Sequence, residues 1–346
     1  MKTIAIIGGG FCGAECARIL DRKLPKEYEL LLFDRKSHFE FTPSIHKILT
    51  DKNYENKIKV PYSKFLKRIK IITDKIIFAA KDKIKTEKSE YSFDFLVLSA
   101  GAHTPKPLIP KVYALKTIED AKNIAEKIEN ANRILIIGGG LTGTEIAGEL
   151  AAKTKKSVAL IHGLDRLIER QPEKASKTAF DFLAGKNADI QLNSRAEINS
   201  GRLCINSKEK IDFDLAIWCT GIKPNTHFLK GFPVNEKGYL KIEPTFIVNG
   251  LKKVFAGGDL IDLPEEKSAQ NAGHHGEIIA KNILNSINNK GLITYNPKAR
   301  AMVISLGDWF GILASNNFVL SGIVPAVLKK AIEVSIVSRY RYLGFL

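Results

Sequence analysis

Apolar residues lie along the chain in short unbroken runs, and two of these runs end in closely similar glycine clusters. Ile4-Ala5-Ile6-Ile7 leads into Gly8-Gly9-Gly10-Phe11-Cys12-Gly13, and Ile134-Leu135-Ile136-Ile137 leads into Gly138-Gly139-Gly140-Leu141-Thr142-Gly143. A run that is apolar at every position, without alternation, belongs to a strand covered on both faces, as in a parallel sheet. Behind each cluster the spacing of small and apolar residues turns helical, from Ala14 to Leu20 and from Thr144 to Ala152. Each copy therefore reads strand, tight turn, helix. Further buried strands are predicted at Glu29 to Asp34, Phe95 to Gly101, Ser157 to His162, Asp214 to Gly221 and Val254 to Asp259. Thr117-Ile118-Glu119-Asp120 carries the signature of a capped helix start, and a helix is predicted from Ser268 to Asn288.

In such a turn three glycines do different work: one makes the bend, one lets backbone approach a pyrophosphate, and one lets helix pack on strand. The phosphates then meet the free N–H groups of the helix N-terminus. Two complete copies imply two dinucleotides, and a pair of dinucleotides in one enzyme suggests hydride transfer between a nicotinamide and a flavin. About twenty residues beyond each turn a carboxylate usually accepts hydrogen bonds from the adenosine ribose. Asp34 stands there in the first copy, as an FAD or NAD site needs, whereas His162 stands there in the second. With no carboxylate to repel a 2′-phosphate, and with His162, Arg166, Lys155 and Lys156 near in sequence, both NADH and NADPH remain open.

The order of these elements predicts an α/β fold with two Rossmann-like dinucleotide-binding domains, the second inserted in the first, plus a small C-terminal hairpin and helix. The expected boundaries are 1–112 with 238–308 for FAD, 113–237 for NAD(P)H, and 309–346 for the C-terminal region. There, Trp309 to Leu328 is free of charge and on a bare count long enough to span a bilayer. Asn316-Asn317 with Gly311, Gly322 and Pro325 favours a hairpin instead. Pro325 to Leu346 then places Leu328, Ile332, Ile336, Tyr340 and Leu343 at helical spacing beside Lys329, Lys330, Arg339 and Arg341. Such a helix suits a membrane interface, or packing on the body or on a second subunit of a homodimer.

Composition narrows the reading. A chain of 346 residues, 45% hydrophobic, can build two or three real cores. It opens directly on a strand with no leader pattern, so a cytoplasmic location is expected. Cys12, Cys16, Cys204 and Cys219 show no metal or redox spacing, so no zinc or iron–sulfur site is expected. Cys12, at a helix N-terminus, is either a reactive thiol or a small residue lining the turn. The net charge of +16, concentrated between Lys47 and Glu90, suits an anionic partner surface or a simply solvated face. No basic-aromatic nucleic-acid motif is present.

Both fingerprints, with Ser99-Ala100-Gly101, Cys219-Thr220-Gly221-Ile222-Lys223-Pro224 and Gly257-Gly258-Asp259, resemble the two-dinucleotide flavoproteins. That group includes disulfide reductases, ferredoxin reductases and type II NADH dehydrogenases. Ser37 to His46 lacks the cysteine pair of the disulfide-reductase branch, and nothing after Cys219 supplies the second cysteine of sulfide:quinone oxidoreductases. Phe41-Thr42-Pro43 and Leu141 to Leu150 resemble type II NADH dehydrogenases. Leu160-Ile161-His162, Trp218 to Gly221 and Ala272-Gly273-His274-His275 resemble the apoptosis-inducing-factor-like ferroptosis suppressors.

The resemblance implies FAD held by Gly8, Gly10, Phe11, Cys12, Gly13, Asp34, Arg35, Thr42, Pro43 and Lys47, with Ala100, Gly101, Gly258, Asp259 and Ala269, Asp259 meeting the ribityl chain. It implies NADH or NADPH held by Gly138, Gly140, Leu141, Thr142, Gly143, His162, Gly221 and Ile222, with Glu145 positioning the nicotinamide or handling a proton. On the acceptor side it implies Gln270, His274 and His275, where a near-neutral histidine would supply a proton to a quinone. The implied activity is NAD(P)H:quinone oxidoreduction without proton pumping, on the cytoplasmic face of a membrane. Rival readings are a soluble reductase of a protein acceptor such as ferredoxin, and a DNA-binding apoptosis-inducing-factor-like flavoprotein.

Overall fold

The computed structural model describes residues 1–199, 201–206, 209–316 and 318–342. The apolar runs form two five-stranded sheets in which every pairing is parallel. The first has the spatial order Val254–Ala256, Phe95–Leu98, Lys2–Ile7, Tyr28–Asp34, Lys70–Thr73, and the second Val112–Tyr113, Leu215–Trp218, Arg133–Ile137, Ser157–Ile161, Asp189–Gln191. In both, the strand entering the glycine turn is central and its last four residues are buried, which is why it reads as continuously apolar. The chain leaves the first sheet at Leu98 and rejoins it at Val254, so the second unit is an insertion.

Helix Phe11–Lys23 crosses helix Ala269–Ile287 at very close range, because a Cβ on Gly276 would overlap the Cys12 carbonyl oxygen. This contact joins the two parts of the interrupted first unit. At Thr117 the expected capping box is present: Asp120 N–H donates to the Thr117 hydroxyl at 3.1 Å and Thr117 N–H donates to the Asp120 carboxylate at 2.9 Å.

The C-terminal region departs from expectation in two ways. Strand Met302–Ser305 pairs with Gly311–Ser315, which pairs with Phe318–Gly322, so a three-stranded sheet begins ahead of residue 309. The Gly307-Asp308-Trp309 turn hid that first pairing from a count of apolar runs. Helix Ile323–Arg341 is also rotated from the anticipated face: Ala326, Glu333, Val337 and Tyr340 are buried, while Leu328 and Ile332 point outward. Leu343 and the turn residue Asn317 lie outside the described residues. Tyr340 sets the rotation, since its ring lies 4.6 Å from Phe39 and 4.7 Å from Phe65, and its hydroxyl donates to Glu15 at 3.2 Å. Burying one such side chain contributes about 1.5–3 kcal/mol. No helix among the described residues is long and apolar enough to cross a membrane.

The same region also grips the second unit. Gly148 on helix Leu141–Lys153 leaves room for Leu306, and Phe310 stacks on Phe182 at 4.7 Å. The described residues from Met302 to Arg341 thus form a strap that touches both units.

Candidate functional site

The two glycine turns share one backbone design. Gly8 and Gly138 have φ of 95° and 106°, a left-handed bend that other residues adopt only with strain. A Cβ on Gly13 or Gly143 would overlap the carbonyl oxygen of Gly8 or Gly138, so the helix sits directly on the turn. A Cβ on Gly10 or Gly140 would meet nothing within 4 Å. Both are N-caps without a side-chain cap, and Phe11 or Leu141 and Thr142 open the helices beyond them. Uncapped N–H groups facing open space at a helix N-terminus are what a pyrophosphate requires.

What closes each turn differs. In the first, Asp34 accepts the Gly9 N–H at 2.7 Å, the Tyr62 hydroxyl at 3.2 Å and the Lys36 N–H at 2.9 Å. In the second, His162 Nδ1 accepts the Gly139 N–H at 3.1 Å, which puts the ring proton on Nε2. The loop after His162 then folds back, with Ile168 N–H donating to the Gly139 carbonyl at 2.8 Å. Ile168 has φ of 42°, an uncommon conformation for a β-branched residue that costs on the order of 1–3 kcal/mol. The next residue, Glu169, brings its carboxylate to 3.6 Å from His162 Nε2.

This loop corrects the cation set expected around a 2′-phosphate. Arg166 donates to the Gln171 carbonyl at 2.8 Å and to the Glu169 carbonyl, and so is committed to its own loop. Lys156 donates to the Glu129 carbonyl at 3.0 Å. Lys155 and Lys156 also precede strand Ser157–Ile161, a full strand length from His162.

Helix Leu141–Lys153 carries Glu145 into the seam between the units. Its carboxylate accepts the Ser305 N–H at 3.1 Å and is ion-paired with Lys329 from the strap. One helical turn on, fully buried Glu149 accepts the Thr50 hydroxyl and pairs with Lys153 at 2.9 Å. Asp308 bridges Lys153 at 2.8 Å and Lys47 at 3.4 Å. Lys47 is thereby held in the seam, on the 3-10 helix Thr42–Leu49 that also carries Thr42 and Pro43. His46, from the same helix, contacts the Ser305 hydroxyl at 3.1 Å. Burial, then the positive charges of Lys329, Lys47 and Lys153, hold its pKa well below the ordinary value. The sequence held no sign of Lys329, Ser305 or Thr50 as partners, because each lies far along the chain from the residue it meets.

Asp259, with Gly258 at φ 73°, receives Lys116 at 3.4 Å. The Asn225 side-chain N–H donates to the Ala100 carbonyl at 2.8 Å, and Gly101 and Gly221 both bend left-handed at φ of 64° and 82°. Ile222 is half-buried beside Gly221, Ala269 opens its helix, and Gln270 and Arg35 are exposed.

His275 corrects an expectation. Its Nδ1 accepts the Gly258 N–H at 3.1 Å, and its Nε2 lies 2.7 Å from Glu265, which also accepts the Tyr295 hydroxyl at 2.6 Å. Protonating Nδ1 would set a proton against that N–H. Burial and nearby cationic groups push its pKa down to about 3. His275 thus pins the Gly258 turn and is no proton source. His274 turns to Glu277 at 3.4 Å and to the Tyr295 ring. Cys12 is the lining residue of its alternatives: burial and the Asp259 charge push its thiol pKa up. Among the described residues no cluster of three or more His, Cys, Asp or Glu is placed to hold a metal.

The pattern of two such turns, one unit inserted in the other, is that of a family. The description of the pyridine nucleotide-disulphide oxidoreductases matches residues 2–276, and the chain belongs to that family. It is an oxidoreductase family of nucleotide-binding flavoproteins.

Among individual proteins, the chain is 28% identical to apoptosis-inducing factor homolog A of Dictyostelium discoideum, over 95% of this chain and 88% of that one. It is 26% identical to ferroptosis suppressor protein 1 of Taeniopygia guttata, over 94% of this chain and 92% of that one. The structure of NDH2 from Plasmodium falciparum in complex with NADH superposes with a TM-score of 0.84 at 17% identity, covering 99% of this chain and 97% of that one.

Proposed function

We propose that the chain is an FAD-dependent NAD(P)H:quinone oxidoreductase. The observation that carries the reading is the seam: two open helix N-termini built for pyrophosphates, with Glu145 held between the units by the Ser305 N–H and Lys329. When bound, FAD would accept hydride from the nicotinamide at N5 and return two electrons to a quinone.

The protein's part is placement. Gly8, Gly10 and Gly13 leave room for the FAD pyrophosphate, Asp34 would accept the ribose hydroxyls, and Asp259 would meet the ribityl chain. Gly138, Gly140 and Gly143 would seat the second pyrophosphate, with Gly221 and Ile222 bordering it. Glu145 positions the nicotinamide carboxamide edge, and Lys329 positions Glu145. Holding donor and acceptor at attack distance supplies much of the rate. With His275 committed to the Gly258 N–H and to Glu265, the quinone would take its protons from solvent or from the Glu145 region.

Membrane access is supported by the strap. Trp309, Phe318, Ile323, Val324 and Val327 are each more than half exposed. They lie on the turn, the hairpin and the outward side of the last helix, apolar surface suited to an interface where a quinone is reached. Lys329 turns inward to Glu145, and Lys330, though its side chain is partly exposed, is paired with Glu333, so neither presents an unpaired charge there.

The test is anaerobic stopped-flow of FAD-loaded protein with NADH or NADPH, then with a short-chain ubiquinone or menaquinone. Bleaching of the flavin followed by quinone-driven recovery is expected. Bleaching without recovery would sink the quinone assignment in favour of a protein acceptor, and no bleaching would sink the nicotinamide reading as well.

A further inference from the structure

The position that normally carries the ribose carboxylate holds His162, yet a carboxylate is present there all the same. Glu169 arrives from the following loop, fixed by three observations: Ile168 N–H on the Gly139 carbonyl, the left-handed bend at Ile168, and the 3.6 Å approach to His162 Nε2. Glu169 is a third exposed, and one of its oxygens is buried with no hydrogen-bond partner. Among the described residues no Lys or Arg side chain pairs with it: Arg166 is spent on two carbonyls, and Arg170 turns away to Glu266 at 3.7 Å.

We infer that Glu169 takes over the role of the missing strand-end acid and makes the second site selective for NADH over NADPH. The inference rests on the nicotinamide reading of that site and deepens it. His162 serves as a spacer: its Nδ1 holds the Gly139 N–H as Asp34 holds the Gly9 N–H, and its Nε2–H faces the carboxylate. His162 Nε2 and the Glu169 oxygen it faces are both buried, so the imidazole fixes the carboxylate and the other carboxylate oxygen is the one to accept the proton of a ribose hydroxyl. A 2′-phosphate has no proton to give at neutral pH and brings a second negative charge against the first. Selectivity here is built as a repulsive element, from a loop instead of from the strand.

The experiment is calorimetric titration of FAD-loaded full-length protein with NAD+ and NADP+, and with 5′-AMP and adenosine 2′,5′-bisphosphate as fragments that cannot react. Wild type should bind NAD+ and 5′-AMP at least about tenfold more tightly than their 2′-phosphorylated counterparts, the worth of one charge-assisted hydrogen bond. Glu169→Gln should bring the two within a few-fold, Glu169→Arg should reverse the order, and Glu169→Asp should recover part of the preference. Equal wild-type affinities, or a ratio unmoved by Glu169→Gln and Glu169→Arg in protein that retains flavin, would overturn the inference. Absence of binding by all four ligands to flavin-loaded protein would instead overturn the nicotinamide reading beneath it.

Discussion

The two glycine turns are near copies in backbone and unlike in everything that closes over them. Gly8, Gly10 and Gly13 match Gly138, Gly140 and Gly143 in bend, in open space and in contact. Yet the second residue of each cluster lies under Tyr62 in one unit and under Leu167 and His162 in the other. The difference separates two kinds of requirement. A pyrophosphate is held by main-chain N–H groups, so any added side chain blocks it and the turn tolerates little change. A ribose is held by whichever polar side chain arrives, so that part can be supplied by a strand end in one unit and by a loop in the other.

The hardest test of the comparison adds one methyl group to each turn. Gly13→Ala and Gly143→Ala both force a Cβ onto a carbonyl oxygen, overpacking that costs about 1–3 kcal/mol locally. Gly13→Ala should purify without flavin, read from the ratio of visible to ultraviolet absorbance. Gly143→Ala should keep flavin while nicotinamide affinity falls about 10- to 100-fold. If Gly143→Ala also emptied the flavin site, the units would not act separately.

A smaller contrast follows from the closing residues. Asp34→Ala leaves the Gly9 N–H without its acceptor, leaves the Tyr62 hydroxyl only the Gly9 carbonyl, and removes a ribose contact, so flavin affinity should drop about tenfold or more. His162→Asn can still accept the Gly139 N–H, and nicotinamide affinity should change by less than about fivefold. Equilibrium dialysis of flavin and calorimetry of NAD+ decide both.

His275 repeats the His162 device deeper in the fold, and its contribution depends on pH. Burial holds folded His275 down to about 3, against 6.5 for the free side chain. Below pH 6.5 the unfolded chain therefore binds a proton that the folded chain refuses. Its contribution is whole above that pH and is lost as pH falls toward 3, by about 1.4 kcal/mol per unit. Urea midpoints at pH 7.5 and 5.5 should differ in wild type and differ less in His275→Asn.

The smallest effect concerns the apolar surface of the strap. Val327→Glu should lower co-flotation with vesicles containing anionic lipid about tenfold, a change worth about 1.4 kcal/mol. Unaltered flotation would place the membrane contact elsewhere.

Much of this comparison could be read from sequence because it is local. Continuous apolar runs, glycine spacing, the capping box at Thr117 and Asp34 at a strand end are each written within a few residues. The rest depended on contacts between distant segments. Lys329 lies 184 positions from Glu145, and no periodicity links them. Glu169 became visible only once the bend at Ile168 returned the loop to Gly139. The last helix was assigned a face from apolar spacing alone, and Tyr340, drawn between Phe39 and Phe65, turned it. His275 looked like a titrating group because its role is played by the Gly258 N–H, which a sequence does not display.

The interruption of the first sheet also has a consequence in time. Strand Phe95–Leu98 must wait for its neighbour Val254–Ala256, and at about 5–20 residues per second a ribosome takes roughly 10–30 s to make the chain between them. Strands 112 through 218 of the second sheet emerge as one contiguous stretch within that interval. During synthesis the second unit therefore completes itself first. The first unit, though begun earlier, stays an open-edged fragment that must be shielded until its last strand arrives.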